Sequence, residues 1–106
     1  MPTDFEQRVY RAVQQVPRGR VTTYRLLAAH LRCGSPRAVG QALRRNPYAP
    51  RVPCHRVIAA DLTPGGFRGE TGGSTVKMKL SLLSSEGVRF SHGHLADPRC
   101  LYAFET

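Results

Sequence analysis

The sequence has no long apolar run, no closely spaced pair of cysteines, no low-complexity tract and no internal repeat. Its opening residues, MPTDFEQRVY, carry acids in place of an apolar stretch, so they predict neither a signal peptide nor a membrane span. The odd number of cysteines (Cys33, Cys54 and Cys100) argues against a disulfide framework and favours a reducing compartment. We therefore expect one globular domain over residues 1–106 of an intracellular protein, in the cytoplasm with the nucleoid or in the nucleus, and no membrane association.

Acidic residues are also scarce. Seven aspartates and glutamates stand against sixteen lysines and arginines, which gives a formal net charge of +9 and a pI near 10.5. Nearly all of the basic residues are arginines, because Lys77 and Lys79 are the only lysines, and the arginine fork suits phosphate oxygens. This balance predicts a polyanionic partner, and nucleic acid is the commonest one inside a cell. The alternative is a basic surface that serves only solubility.

The spacing of apolar residues predicts four helices. Thr3 and Glu6 form a capping-box pattern at the start of the first helix, which ends before Pro17. The last helix is predicted between Ser74 and Gly87. Between these helices, the three prolines of NPYAPRVP exclude a regular helix, and CHRVIAA predicts a strand or an extended segment followed by a glycine-rich loop.

The second and third predicted helices lie close together in the chain. Thr22 or Thr23 is expected to cap the second, Gly34 permits a tight turn, and Ser35 is expected to cap the third. On the third helix, Val39, Ala42 and Leu43 share one face, whereas Arg37, Gly40, Gln41 and Arg44 share the other. Two short helices joined by such a turn, the second with a basic face, are typical of a helix-turn-helix. The sequence therefore predicts an α+β fold that is mainly α.

Cys54 lies directly before His55 in the segment RVPCHRVIA. A zinc site is disfavoured, because the ligand spacing is wrong and the pair His92 and His94 lies far along the chain. A packing role is one alternative, since free cysteines are usually buried and inert. A nucleophilic role is the other, since His55 and Arg56 could supply the base and the positive charge that a thiolate requires. The residues alone leave both alternatives open.

The segment NPYAPRVPCHRVIAADLTPGGFRG resembles the active-site segment of the O6-alkylguanine-DNA alkyltransferases, also called methylated-DNA–protein cysteine methyltransferases. The similarity extends from about Phe5 to Gly87 and includes GRVTTYRLLA and SPRAVGQALRRNP. It implies a winged-helix type of helix-turn-helix with a short strand or wing segment, without the separate N-terminal domain of longer members. It also implies a monomer that binds duplex DNA, flips O6-alkylguanine and transfers the alkyl group irreversibly to itself. No metal or organic cofactor is expected for this reaction.

The resemblance assigns catalytic roles to four residues. Cys54 would accept the alkyl group, His55 would activate it through a bound water, and Glu86 would hold His55 in the required tautomer. Asn46 would position the helix-turn-helix against the active-site loop. An ordinary turn-forming asparagine before proline is the alternative for Asn46.

The resemblance also assigns DNA contacts. Arg37 would take the place of the extruded guanine and Tyr24 would press on the adjacent phosphate, because unstacking a base costs free energy that an inserted side chain partly offsets. Further DNA contacts are expected from Thr23, Arg25, Gln41, Arg44 and Ala60. The pocket for the flipped base is expected to be lined by Val57, Phe67, Arg68 and Lys79. A solvated helix residue is the alternative for Lys79.

The chain departs from the family pattern at two places. Phe67 stands where a tyrosine commonly donates to the O6 atom, and the loop over residues 68–75 is longer. These departures leave a second class open, the alkyltransferase-like proteins of similar length, which bind alkylated guanine without transfer and recruit excision-repair proteins. They usually carry another residue at the position of Cys54, which favours transfer here. A plain DNA-binding regulator ranks third, because it gives no reason for Cys54, His55 and Glu86.

Overall fold

The computed structural model describes residues 2–49, 51–65 and 74–104. Two predicted pocket residues, Phe67 and Arg68, lie outside the described residues. The elements follow in chain order as α1 (Asp4–Gln14), β1 (Thr22–Thr23), α2 (Tyr24–His30), α3 (Pro36–Arg44), a 3-10 turn (Cys54–Arg56), β2 (Val57–Ile58), α4 (Ser74–Ser85), β3 (Phe90–Ser91), β4 (His94–Leu95) and a second 3-10 turn (Pro98–Cys100). Helices with a few short strands confirm the predicted α+β class, mainly α.

α1 begins where the capping box predicts. The Thr3 hydroxyl accepts a hydrogen bond from the Glu6 backbone N–H at 3.1 Å, and the Glu6 carboxylate accepts one from the Thr3 N–H at 2.9 Å. These bonds satisfy donors that a helix start otherwise leaves unpaired. The buried face of α1 consists of Val9, Tyr10, Ala12 and Val13. It packs against α2 and α3, and the three helices enclose the larger of two hydrophobic clusters.

α2 and α3 form the predicted helix-turn-helix. Thr23 caps α2 and Ser35 caps α3, each by accepting a hydrogen bond from the third helical residue at 3.0 and 3.1 Å. Between the helices the backbone is left-handed at Arg32 and Gly34, with φ of 56° and 66°. Glycine adopts this region at little cost, so Gly34 allows the sharp reversal. Val39, Ala42 and Leu43 are buried, which leaves the opposite face of α3 to solvent.

β1 and β2 pair in parallel, with Thr22 opposite Val57. The prediction of an extended strand for CHRVIAA is wrong for its first three residues, which form a 3-10 turn closed by a 2.9 Å hydrogen bond from Arg56 N to Pro53 O. The physical reason lies in the partner segment. In the register of the β1–β2 pair, Cys54 and His55 would face Gly19 and Arg20, which belong to a turn closed by the hydrogen bond from the Arg20 N–H to the Pro17 carbonyl.

The segment after α4 adds a hairpin and a docked tail. β3 and β4 pair antiparallel, and the chain then runs beside the start of β1. The Val21 N–H donates to the Cys100 carbonyl at 2.8 Å, and the Tyr102 N–H donates to the Val21 carbonyl at 2.6 Å. The ring of Phe104 stacks on that of His30 with centroids 4.2 Å apart. The tail therefore packs against α2.

α4 occupies the predicted span and closes the second hydrophobic cluster. This cluster contains Val21, Ile58, Leu83, Val88 and Leu95. It joins α4 to the β1–β2 pair, so the end of α4 is fixed close to the 3-10 turn that carries Cys54. Within the described residues, no helix is long and apolar enough to cross a membrane.

Candidate active site and DNA-binding surface

Cys54 is the first residue of the 3-10 turn that follows the proline-rich segment. Its N–H donates to the Val52 carbonyl at 2.8 Å, and its side chain is partly buried against the larger hydrophobic cluster. Pro53 before it and buried Val57 after it restrain the backbone on both sides. The thiol is thus held in one place while part of its surface remains accessible, so packing and reactivity are compatible. Among the described side chains, no group of three or more His, Cys, Asp and Glu is arranged to hold a metal ion.

His55 and Glu86 are in contact, although 31 positions separate them in the chain. Nε2 of His55 lies 3.1 Å from both carboxylate oxygens of Glu86. Their side chains are only 8% and 10% exposed, so water screens this contact weakly. A carboxylate can only accept, which places the imidazole proton on Nε2 and leaves Nδ1 as an acceptor. Burial lowers the pKa of His55, although the hydrogen bond to Glu86 opposes it. The lowered pKa favours the neutral ring, which is the form that can accept a proton.

Arg56, which the sequence offered only as a possible positive charge beside Cys54, is a site residue through its contact with Glu86. Its Nε and Nη2 donate to the two oxygens of Glu86 at 3.0 and 2.8 Å, and its Nη1 donates to the Val16 carbonyl at 3.0 Å. Burial alone would raise the pKa of Glu86, but the hydrogen bonds from Arg56 and His55 outweigh it and lower that pKa. In the sequence, the position of Arg56 directly after His55 in the Pro-Cys-His-Arg-Val core is the signal for this role.

Lys79 is fully buried, which overturns the alternative of a solvated helix residue. Its ammonium group donates to the Val57 carbonyl at 2.6 Å and lies 5.9 Å from the centre of the Tyr24 ring. Burial lowers the pKa of Lys79 to about 8, although the charge of a Cys54 thiolate opposes the shift. Burial likewise raises the pKa of Tyr24 to about 12. The structure thus brings Lys79, Tyr24 and Val57 together beside Cys54.

Glycine is required where the loop after β2 approaches Tyr24. Gly65 has a φ of +71°, and a Cβ there would lie 3.3 Å from the Ala59 nitrogen and 3.5 Å from the Tyr24 ring. Because the loop backbone comes so close, Tyr24 is held between α2, this loop and Lys79. The tyrosine is therefore half-buried at the wall of the cysteine site, and its predicted contact with a DNA phosphate stays a prediction.

Asn46 ties together the two ends of the segment that leads to Cys54. Its side-chain amide donates to the Val52 carbonyl at 3.0 Å, and its side-chain oxygen accepts from the Tyr48 N–H at 2.9 Å. The second bond is the turn that an ordinary asparagine before proline would make, and the first is a longer-range tether. Both interpretations of Asn46 therefore describe part of its geometry.

The outer face of α3 carries the predicted DNA-binding side chains. Arg37, Gln41 and Arg44 are exposed, and in the described parts of the chain no acidic side chain forms an ion pair with either arginine. A Cβ on Gly40 would meet nothing within 4 Å, so this face is flat and open to close approach. Arg25 and Ala60 are also exposed. Thr23 differs, because it is 4% exposed and its hydroxyl caps α2, which leaves little surface for a DNA contact.

Comparison with known proteins gives consistent results. The family model described as the DNA-binding domain of 6-O-methylguanine DNA methyltransferase matches residues 4–88. A methylated-DNA–protein-cysteine methyltransferase of Methanothermobacter thermautotrophicus is 44% identical over 86 residues, which cover 81% of this chain and 46% of that protein. The chain thus spans about half the length of such curated relatives.

Two crystal structures of proteins in complex with DNA match different lengths of this chain. Mycobacterium tuberculosis OGT in complex with DNA matches with a TM-score of 0.72 and 39% identity, over 81% of this chain and 51% of that one. Schizosaccharomyces pombe Atl1 in complex with damaged DNA containing O6-carboxymethylguanine matches with a TM-score of 0.74 and 31% identity, over 96% of this chain and 98% of that one. The fold described above is therefore similar to that of two proteins whose structures were determined in complex with DNA.

Proposed function

The chain belongs to the 6-O-methylguanine DNA methyltransferase family, and on that premise we propose that it repairs duplex DNA by moving an alkyl group from O6 of guanine to Cys54. The observation that carries the proposal is the arrangement around Cys54. A partly accessible thiol is followed directly by a buried imidazole, whose outer nitrogen is held by the carboxylate of Glu86. The arrangement of nucleophile, base and orienting carboxylate is that of an activated nucleophile.

The reaction is a displacement at the alkyl carbon. The thiol of Cys54 loses its proton towards Nδ1 of His55 through one water molecule, and Glu86 stabilises the imidazolium that forms. The sulfur then bonds to the alkyl carbon while the bond from that carbon to O6 breaks and guanine leaves with the electron pair. The departing guanine takes up one proton and the thiol releases one, so the reaction has no net gain or loss of protons. Because a thioether does not hydrolyse, each polypeptide acts once.

The helix-turn-helix would present the damaged base to the thiol. A stacked base hides its O6 substituent, so the nucleotide has to rotate out of the duplex. Arg37 near the start of α3 is exposed and free of ion pairs among the described residues, so it suits insertion into the gap. Arg25, Gln41 and Arg44 would hold the flanking phosphates. We propose that one copy acts alone on DNA, in the compartment that contains the DNA.

Recovery of cleavable DNA tests this proposal. A duplex whose restriction site contains O6-methylguanine is treated with increasing amounts of protein and then cut. We expect cleavage to rise linearly and to level off at one repaired site per protein molecule, whereas Cys54→Ser protein restores none. Restoration by Cys54→Ser, or turnover beyond one site per molecule, would contradict transfer to this residue.

A second candidate function is recognition of the lesion without transfer. The near-complete overlap with S. pombe Atl1 bound to damaged DNA favours it, because that match covers 96% of this chain and 98% of that one. In this case the protein would mark O6-alkylguanine for excision-repair proteins. The presence of Cys54 between Pro53 and His55 ranks it second. Tight, lesion-selective binding by a protein that restores no restriction sites would promote it to first.

A further inference from the structure

Each of the three guanidinium nitrogens of Arg56 donates a hydrogen bond at the active site. Two of its nitrogens donate to the two oxygens of Glu86, and the third donates to the backbone of Val16. Paired parallel bonds of this kind fix the orientation of a carboxylate more firmly than a single contact. The bond to Val16 anchors the guanidinium itself to the backbone just beyond the end of α1. Arg56 thus fixes the plane of the Glu86 carboxylate independently of the contact that Glu86 makes with His55.

We propose that Arg56 is a positioning residue that sets the orientation and the proton affinity of His55 through Glu86. The consequence for Cys54 rests on the proposed function, since His55 there accepts the thiol proton. Without Arg56, the carboxylate would be free to rotate and would carry an uncompensated charge beside the imidazole. With Arg56, the same carboxylate orients His55 while attracting its proton less.

The charges around His55 support this division of roles. Cys54 precedes it, Arg56 follows it, and Lys79 and Glu86 face it from α4 and the residue after its end. Glu86 favours the imidazolium, whereas the positive charges of Arg56 and Lys79 and the burial of the ring disfavour it. A guanidinium 2.8 Å from the carboxylate cancels much of the field that Glu86 exerts on the ring. His55 therefore stays neutral, which is the form that can accept a proton.

An ordinary structural ion pair would also hold Glu86 in place, so the test has to measure protonation and not stability alone. We would titrate the histidine rings of the full chain by NMR and identify His55 from the resonance that is lost in His55→Gln. The variants are Arg56→Gln, which removes the charge, and Arg56→Lys, which keeps it. Arg18→Met is the matched control, because Arg18 donates to the Ser85 carbonyl at 3.1 Å, beside Glu86 but not to its carboxylate.

We expect Arg56→Gln to raise the proton affinity of His55 by about tenfold and Arg56→Lys by about threefold, since a lysine keeps the charge but not the fork. Arg18→Met should leave it unchanged.

The pH midpoint of Cys54 labelling by a thiol reagent should move with the His55 pKa, with Cys33 and Cys100 as internal references. An unshifted His55 in folded Arg56→Gln overturns the proposal. If that variant does not fold, an unshifted His55 in Arg56→Lys overturns it.

Neither readout uses alkylated DNA, so the two proposals fail separately. A shifted His55 in a protein that transfers no alkyl group contradicts the proposed function and leaves the role of Arg56 intact. An unshifted His55 in a protein that transfers normally contradicts the role of Arg56 alone.

Discussion

Lys79 donates a 2.6 Å hydrogen bond from its ammonium group to the carbonyl of Val57, and the contact lies inside the protein because Lys79 has no exposed surface. It joins the middle of α4 to the first residue after the turn that carries Cys54 and His55. A buried charge is tolerated only where polar groups compensate for lost water, and here the carbonyl and the Tyr24 ring do so. α4 is therefore joined to the active-site turn through Lys79, and Glu86 just beyond its end makes a second connection.

The buried lysine predicts a pH dependence of stability. The pKa of Lys79 is about 8 in the folded chain, well below its ordinary value of 10.5. Between these values the unfolded chain binds a proton that the folded chain does not, so the free energy of unfolding should rise with pH. The contribution is about 2 kcal/mol between about pH 7.5 and about pH 9.5. Urea unfolding of Lys79→Met at both pH values provides the control. Equal pH dependence of the two proteins would contradict a depressed pKa of Lys79.

Gly19 predicts a coupling between the turn after α1 and the active site. Its φ is +88°, and a Cβ there would lie 3.3 Å from the carbonyl oxygen of Glu86. Gly34 is also left-handed, but a Cβ there would meet nothing within 4 Å. We expect Gly19→Ala and Gly34→Ala each to lower the free energy of unfolding by about 1–2 kcal/mol, with the larger loss for Gly19→Ala. Thiol labelling of Cys54 should slow in Gly19→Ala alone. Equal labelling in both variants would mean that Gly19 does not influence Glu86.

Two substitutions of Asn46 distinguish its role as a tether to Val52 from its role as a turn former. Asn46→Ala removes both side-chain hydrogen bonds, and we expect it to lower the free energy of unfolding by about 1–3 kcal/mol. Asn46→Asp keeps the acceptor for Tyr48 but faces the Val52 carbonyl with an oxygen instead of a donor. It should therefore lose most of what Asn46→Ala loses. Wild-type stability in Asn46→Asp, measured by thermal unfolding, would reduce Asn46 to a turn former.

The exposed arginines of α3 predict separable effects on DNA binding. Arg37→Ala should lose preference for a duplex with O6-methylguanine over undamaged duplex, because in the proposed function Arg37 enters the duplex only when a base leaves the stack. Arg44→Ala should weaken binding to both duplexes equally and reduce the slope of affinity against salt by about one, as expected for a phosphate contact. Titrations at several salt concentrations measure both effects. Equal losses on the two duplexes for Arg37→Ala would remove it from the flipping step.

The helices were predicted well because the residues that cap them lie close together in the sequence as well as in the structure. The capping box of Thr3 and Glu6 and the caps Thr23 and Ser35 each involve residues three positions apart, so their spacing is visible in the chain. The prediction of an extended strand at Cys54 was wrong for the opposite reason. The residues that would face Cys54 and His55 are Gly19 and Arg20, which form a turn more than thirty positions earlier, and no local pattern reports that.

The site needed more than local patterns. The pairing of His55 with Glu86 crosses 31 positions and was predicted through the family resemblance, not from spacing. The spacing of Lys79 in the sequence indicates burial. Lys79 follows Val76 by three positions and precedes Leu83 by four, which places it on the apolar face of α4. A charged residue on such a face has to be buried with a partner or to break the helix packing.

Intact-protein and peptide mass measurement after incubation with duplex DNA containing O6-methylguanine tests the central claim most directly. The account predicts one added methyl group per polypeptide, located on the peptide that contains Cys54, and none on Cys33 or Cys100. Cys54→Ala should remain unmodified while still binding the damaged duplex, since the outer face of α3 is unchanged. Unmodified wild-type protein after long incubation, together with tight and lesion-selective binding, would contradict alkyl transfer and establish recognition without transfer in its place.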